Sequence, residues 1–193
     1  QILKRFGAKP AAIGASLGGL ASLSALGRSP CFSALVLVDI APRMEESGVR
    51  NIQSFMAARA AEGFASIEEA AEQVAAFLPH RTRPPSVEGL RKNLRLRDGR
   101  WYWHWDPAFL DAGRAMAKDR AAILHRMEED ARSLTVPTLM VRGAKSDIVS
   151  QASVDAFMKL VPHARLVDVG GAGHMVAGDK NDVFADAILG FLG

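Results

Sequence analysis

A serine in a strand–turn–helix setting is the first candidate for chemistry in this sequence. Ser16 lies between Gly14 and Gly18 in the pattern G-x-S-x-G, after the apolar run from Ala11 to Ile13 and before a small-residue helix from Leu20 to Leu26. Such a turn strains the backbone of the serine and exposes its hydroxyl at the end of the strand. We expect glycine at both flanking positions because a side chain there would collide with the neighbouring strand or helix.

Two further side chains could complete a nucleophilic site. Asp147 follows the apolar run from Thr138 to Val141, and His174 follows the run from Leu166 to Val169. A serine hydroxyl is a weak nucleophile until a neutral imidazole accepts its proton, and a carboxylate fixes the tautomer of that imidazole and stabilises the imidazolium. Because the carboxyl ends of parallel strands share one edge of a sheet, we expect the three side chains to meet there.

Asp39 is an alternative acid, since it ends the apolar run that begins at Ala34. Asp147 could instead cap the helix that we expect to start near Ser150 or Gln151. The sequence leaves both acids open, with Asp147 as the first choice.

The fold class that this pattern predicts is α/β, with a mostly parallel sheet flanked by helices. Parallel strands are expected at about 11–15, 34–39, 138–142 and 165–169, because apolar runs of this length are typical of strands covered on both faces. The order Ser…Asp…His, with a glycine-flanked serine after the first of these strands, resembles the α/β-hydrolase fold. The resemblance extends over essentially the whole chain.

The resemblance implies a role for each residue. Ser16 would be the nucleophile, His174 the general base and then acid, Asp147 the orienting carboxylate, and the Leu17 N–H one oxyanion donor. The chain is similar to the C-terminal portion of the fold, so the strands and the loop that supply the second oxyanion donor would belong to an N-terminal part. We therefore expect the sequence to be a fragment of a longer protein.

A helical insertion is expected between the two parts of the core. The core would comprise 1–42 and 134–193, with 43–133 forming a cap or lid. Helices are predicted from Ala70 to Leu78 behind a capping box that starts at Ser66, from Val87 to Leu96, and from about Pro107 to Ala131.

Two groups of residues in this insertion could contact a substrate. The tryptophans at 101, 103 and 105 would share one face of an extended segment and could line an acyl pocket above Ser16, or form the hydrophobic core of the cap. The cationic residues could bind an anionic substrate or an acidic carrier, although a solvated surface is the favoured interpretation. They are Arg81, Arg83, Arg91, Lys92, Arg95, Arg97 and Arg100.

The composition excludes several classes of function. The chain has 193 residues, 49% of them hydrophobic, with a net charge of +3 and one cysteine. The charge is too small to indicate nucleic-acid binding, and no apolar run is long enough to span a bilayer. One cysteine, Cys31, is compatible with a reducing compartment. We expect a cytoplasmic protein with no metal, no cofactor and a small-molecule acyl substrate.

A serine at the turn predicts an acyl-serine intermediate. The predicted activity is hydrolysis of an ester, thioester, lactone or activated C–C bond. The alternatives are acyl transfer or perhydrolysis, as in peroxidase-like relatives of this fold, on the same three residues, and a non-catalytic binding module or inactive fragment.

Overall fold

The computed structural model describes residues 8–79, 81, 86–110 and 119–193. The strands are β1 (Ala11–Ala15), β2 (Ala34–Val38), β3 (Leu94–Arg97), β4 (Arg100–Trp103), β5 (Thr138–Gly143) and β6 (Arg165–Val169). The helices are α1 (Leu17–Arg28), α2 (Glu46–Ala57), α3 (Ile67–Phe77), α4 (Glu88–Arg91), α5 (Arg120–Arg132), α6 (Gln151–Leu160), α7 (Val176–Asp179) and α8 (Asn181–Leu192).

The chain divides into two compact units. Residues 1–49 and 120–193 form a core unit, and residues 50–119 form a second unit. The sequence predicts these boundaries at 42 and 134. In the structure the segment 120–133, expected in the cap, lies in the core unit. The reason is that α5 packs against α1, close enough for a Cβ at Gly27 to meet the Asp130 side chain at 2.1 Å. Of the helix predicted from about Pro107 to Ala131, positions 111–118 lie outside the described residues, and its last part is α5.

The core unit contains a four-stranded parallel sheet in the order β1-β2-β5-β6. The prediction of four parallel strands is confirmed. All five residues of β2 are buried, as are the first four of β5, since a parallel strand inside such a sheet is covered on both faces. In β1, an edge strand among the described residues, buried and exposed positions alternate, and Ile13 is 50% exposed.

The described part of the second unit contains helices and the hairpin of β3 and β4. The capping box is confirmed: Ser66 Oγ accepts a hydrogen bond from the Glu69 N–H at 3.2 Å, and the Glu69 carboxylate accepts one from the Ala65 N–H at 2.5 Å. Among the described residues, no helix combines the length and the apolar character needed to cross a bilayer.

The helix predicted from Val87 to Leu96 is wrong. Helix α4 ends at Arg91, and β3 then pairs antiparallel with β4. The turn between the two strands consists of Asp98 and Gly99, with φ angles of 49° and 76°. An Asp-Gly pair accepts two positive φ angles at low energetic cost, which favours a tight hairpin over a continued helix.

Candidate active site

The turn between β1 and α1 gives Ser16 a strained backbone, with φ 49° and ψ −123°. An added Cβ at Gly14 would lie 2.6 Å from the Gly18 carbonyl, so glycine is required at 14. The same expectation for Gly18 is wrong, because a Cβ there would meet no atom within 4 Å. The second close approach is at Gly19, where a Cβ would come within 2.5 Å of the Ile40 side chain.

Ser16 occupies the position before α1 without using its side chain as a cap. Its carbonyl accepts hydrogen bonds from the N–H groups of Gly19 and Leu20, at 3.0 and 3.3 Å. The N–H of Leu17 belongs to the first helical turn, where backbone donors have no acceptor within the helix. The positive end of the helix dipole lies at the same place, next to Ser16.

Asp39 follows β2 directly, is fully buried, and has a φ of 49°. Its carboxylate accepts three hydrogen bonds. Oδ1 accepts one from the Gly143 N–H at 2.9 Å, while Oδ2 accepts one from the Ser146 hydroxyl at 2.6 Å and contacts His174 Nδ1 at 2.8 Å. These contacts bring the ends of β2 and β5 and the loop after β6 together at one carboxylate.

His174 lies in the loop between β6 and α7, and 14% of its side chain is exposed. Several backbone contacts fix this loop. The Gly173 N–H donates to the Asp179 carboxylate at 2.9 Å, and the Ala172 carbonyl accepts from the Lys145 N–H at 2.8 Å. The Gly173 carbonyl lies so close to Gly143 that a Cβ there would be 2.1 Å away.

Asp147, the first-choice acid, is exposed. Among the described residues, no hydrogen bond joins its carboxylate and His174. The cause is the turn after β5, where the Ser146 Oγ accepts hydrogen bonds from the Ile148 and Val149 N–H groups, both at 3.1 Å. This turn directs Ser146 towards Asp39. The structure therefore gives Asp39, the alternative acid, the contact with His174. Ser146 was not among the residues predicted for the site, although a serine in a turn often bonds to the neighbouring backbone in this way.

The described hydrogen bonds include none between the Ser16 hydroxyl and His174. The sheet relates the two residues through Asp39, because the Ser16 N–H donates to the Val38 carbonyl, next to Asp39, at 3.3 Å. His174 follows β6, on the far side of β5, but its loop reaches back to the end of β2, and β2 pairs directly with β1. Neighbouring strands lie about 4.8 Å apart, and bonds between nucleophile and base are often long without substrate.

Two of the three tryptophans predicted near a substrate have packing partners within the second unit. Trp101 and Trp103 pack against a buried cluster that includes Phe64, and the rings of Phe64 and Trp103 meet edge to face at 5.3 Å. Trp105 lies beyond the end of β4 and is partly exposed. These contacts fit the alternative in which the aromatic residues form the core of the insertion.

Three of the clustered cationic residues also have partners. The Arg91 guanidinium lies 5.3 Å from the Trp101 ring centroid, and that of Arg97 lies 4.6 Å from the Tyr102 centroid. Arg100 donates to the carbonyls of Glu62 and Gly63, at 2.6 and 2.9 Å. These arginines pack on rings or bind backbone, as the favoured interpretation expected. Arg83 lies outside the described residues.

Known proteins share this arrangement of strands. Esterase Rv0045c of Mycobacterium tuberculosis is 27% identical over 191 residues, covering 93% of this chain and 59% of the esterase. Its crystal structure has a TM-score of 0.70 at 25% identity, covering 99% of this chain and 63% of that chain. The crystal structure of E-2-(acetamidomethylene)succinate hydrolase has a TM-score of 0.79 at 22% identity, covering 99% of this chain and 69% of that chain.

A mammalian relative gives a similar result. The sn-1-specific diacylglycerol lipase ABHD11 of Mus musculus is 30% identical over 191 residues, covering 93% of this chain and 58% of the lipase. This chain thus spans less than two thirds of the length of both the esterase and the lipase. The sequence model of the Alpha/beta hydrolase family matches residues 1–187, and with the parallel sheet and its glycine-flanked serine this shows that the chain belongs to that family.

Proposed function

We propose that this chain carries the catalytic residues of a serine hydrolase that cleaves carboxylic esters of small molecules. Ser16 is the nucleophile, His174 the general base and Asp39 the orienting acid. The observation that carries the proposal is the 2.8 Å contact between His174 Nδ1 and a fully buried Asp39, at the end of the strand next to the one that bears Ser16.

The chemistry follows from that contact. A neutral imidazole that donates its Nδ1–H to Asp39 keeps Nε2 unprotonated, so Nε2 can accept the Ser16 proton as the oxygen attacks the ester carbonyl. The Asp39 charge stabilises the imidazolium, which then protonates the departing alcohol. Water attacks the acyl-serine in the second half, again with His174 as base, and releases the acid.

The Leu17 N–H supplies one donor to the tetrahedral oxyanion in both halves. Among the described residues, we assign only the Leu17 N–H to this role. Removal of one oxyanion donor lowers kcat by roughly 10²–10³-fold in serine hydrolases.

Names of relatives support an ester as the substrate. One relative is named an esterase and another a diacylglycerol lipase. Thioesters, lactones and activated C–C bonds pass through the same acyl-serine and fall within the proposed reaction class. Acyl transfer and perhydrolysis differ only in the acceptor, so product analysis with added alcohol or peroxide separates them from hydrolysis.

The test is covalent labelling, which needs one turnover only. Purified chain is treated with a fluorophosphonate probe, and the modified peptide is identified by mass spectrometry. We expect the probe on Ser16, with no labelling of Ser16→Ala and with a burst of p-nitrophenol from p-nitrophenyl acetate. A folded chain that the probe leaves unmodified at Ser16 would instead support a non-catalytic binding module.

A further inference from the structure

Ser146 is a side chain of the site that the proposed reaction does not use. It lies in the turn between β5 and α6, and its hydroxyl donates to Asp39 Oδ2 at 2.6 Å. That oxygen is the one in contact with His174 Nδ1. Ser146 is thus one hydrogen bond from the acid and two from the base.

The direction of the Ser146 hydroxyl is fixed by its other partners. A serine hydroxyl has one donor and two acceptor sites. Both acceptor sites are filled, since the N–H groups of Ile148 and Val149 each donate to Oγ at 3.1 Å. Both of those residues are buried, so water does not offer their N–H groups an alternative acceptor. The remaining hydroxyl hydrogen has Asp39 as its acceptor.

The carboxylate of Asp39 is held at both of its oxygens. The Gly143 N–H occupies Oδ1 at 2.9 Å, and the Ser146 hydroxyl occupies one side of Oδ2. Rotation of the carboxylate would break both bonds. The site left on Oδ2 faces the imidazole of His174, which fixes both the position and the tautomer of the base.

We propose that Ser146 is a positioning residue that orients Asp39 for His174, and that it ties the acid to the backbone of the turn before α6. The inference rests on the proposed function for its effect on rate. Its effect on the Asp39–His174 contact does not depend on catalysis. Hydrogen-bond partners that orient the groups of an active site are typically worth about 10–100-fold in activity, as known for metal sites.

The experiment compares three substitutions with the wild type. Ser146→Ala removes the hydroxyl, and Ser146→Thr keeps it. Ser150→Ala is the matched control in the same segment, because Ser150 accepts from the Ser153 N–H at 3.2 Å and donates to Glu45 at 2.5 Å but does not contact Asp39. Each chain is assayed for the rate of fluorophosphonate labelling at Ser16. Each is also examined by ¹H NMR for the far-downfield Nδ1–H resonance of His174, assigned by its absence in His174→Ala.

A positioning role predicts a distinct pattern. Ser146→Ala labels about 10–100-fold more slowly and its Nδ1–H resonance moves or broadens. Ser146→Thr restores most of the rate and the resonance. Ser150→Ala lowers the melting temperature but leaves both at wild-type values. If Ser146→Ala does not fold, Ser146→Cys takes its place, since a thiol of similar size is a weak donor and acceptor.

Two results overturn the inference. One is a Ser146→Ala chain with the wild-type rate and an unmoved resonance. The other is equal slowing of labelling in Ser146→Ala and Ser150→Ala, which would mean that the segment contributes only stability. If wild-type Ser16 does not label at all, the proposed function fails, and the resonance alone then decides the role of Ser146.

Discussion

The variants Asp39→Asn and Asp147→Asn are expected to differ strongly in both stability and labelling rate. Asn at 39 keeps the volume of the side chain but replaces one acceptor oxygen by an NH₂ donor. Three donors surround that side chain: the Gly143 N–H, the Ser146 hydroxyl and His174 Nδ1. The orientation that keeps the most hydrogen bonds points the amide oxygen at Ser146 and His174. The NH₂ group then faces the Gly143 N–H, which is also a donor.

One buried pair of facing donors follows from that orientation. Leaving a buried donor unsatisfied costs about 1–3 kcal/mol. For a chain of this size, 1 kcal/mol corresponds to a melting shift of about 2–4 °C, so Asp39→Asn is expected to melt about 2–12 °C lower. Asp147 is exposed, and its amide variant is expected to stay within about 0.5 kcal/mol of wild type.

The effect on chemistry is larger. Loss of the negative charge removes the stabilisation of the imidazolium, although the amide oxygen can still accept from His174 Nδ1. In a serine-protease triad the same exchange also changes the tautomer and lowers kcat about 10⁴-fold, which sets the upper limit of the effect expected here. This is about 5 kcal/mol of transition-state stabilisation. The assay is the fluorophosphonate labelling rate at Ser16, measured below the melting temperature of the weaker variant. Normal labelling of Asp39→Asn with slow labelling of Asp147→Asn would refute the assignment of the acid.

Glycine substitutions test the turns that position the site. Ser16→Gly and Ser16→Ala are both expected to abolish labelling. Ser16→Gly is expected to have a free energy of unfolding about 1 kcal/mol higher than Ser16→Ala, because glycine accepts the φ of 49° without strain. Equal free energies of unfolding in urea would contradict backbone strain at this position. Gly14→Ala is expected to lower the free energy of unfolding by about 1–3 kcal/mol, because the added Cβ would lie 2.6 Å from Gly18. Gly18→Ala has open space around its Cβ and is expected to raise the free energy of unfolding by up to about 1 kcal/mol, since alanine favours the helix α1. Matching unfolding midpoints for that pair would show that the turn is not closely packed. Gly99→Ala is expected to cost about 1–2 kcal/mol from its positive φ, while Gly89→Ala, which also has open space, serves as the control.

The strands and the turn that holds Ser16 could be predicted because their signals are local. An apolar run that ends in a glycine or a polar residue predicts a buried strand, and a serine between glycines predicts the turn that follows β1. The choice of acid could not be predicted in this way. Asp39 and Asp147 both follow strands, and the sequence contains no measure of which carboxylate reaches His174. In the structure the contact with His174 is made by Asp39, which also accepts from the Ser146 hydroxyl.

The missed hairpin has a different cause. The helix predicted from Val87 to Leu96 rests on Ser86 as a candidate N-cap. The Asp-Gly pair at 98–99, flanked by alternating hydrophobic residues, is a strong local signal for a hairpin. Cross-strand packing of Leu94 and Trp103 in the second unit then outweighs helix propensity.

The place of Gly143 at the end of β5 has a consequence for how such a site can be adjusted. Its N–H holds Asp39, and its bare Cα makes room for the carbonyl of Gly173, the residue before His174. Asp39 and His174 therefore depend on the same residue for their positions. We expect any side chain at 143 to displace both of them together, whereas Ser16 lies on a separate turn, between β1 and α1.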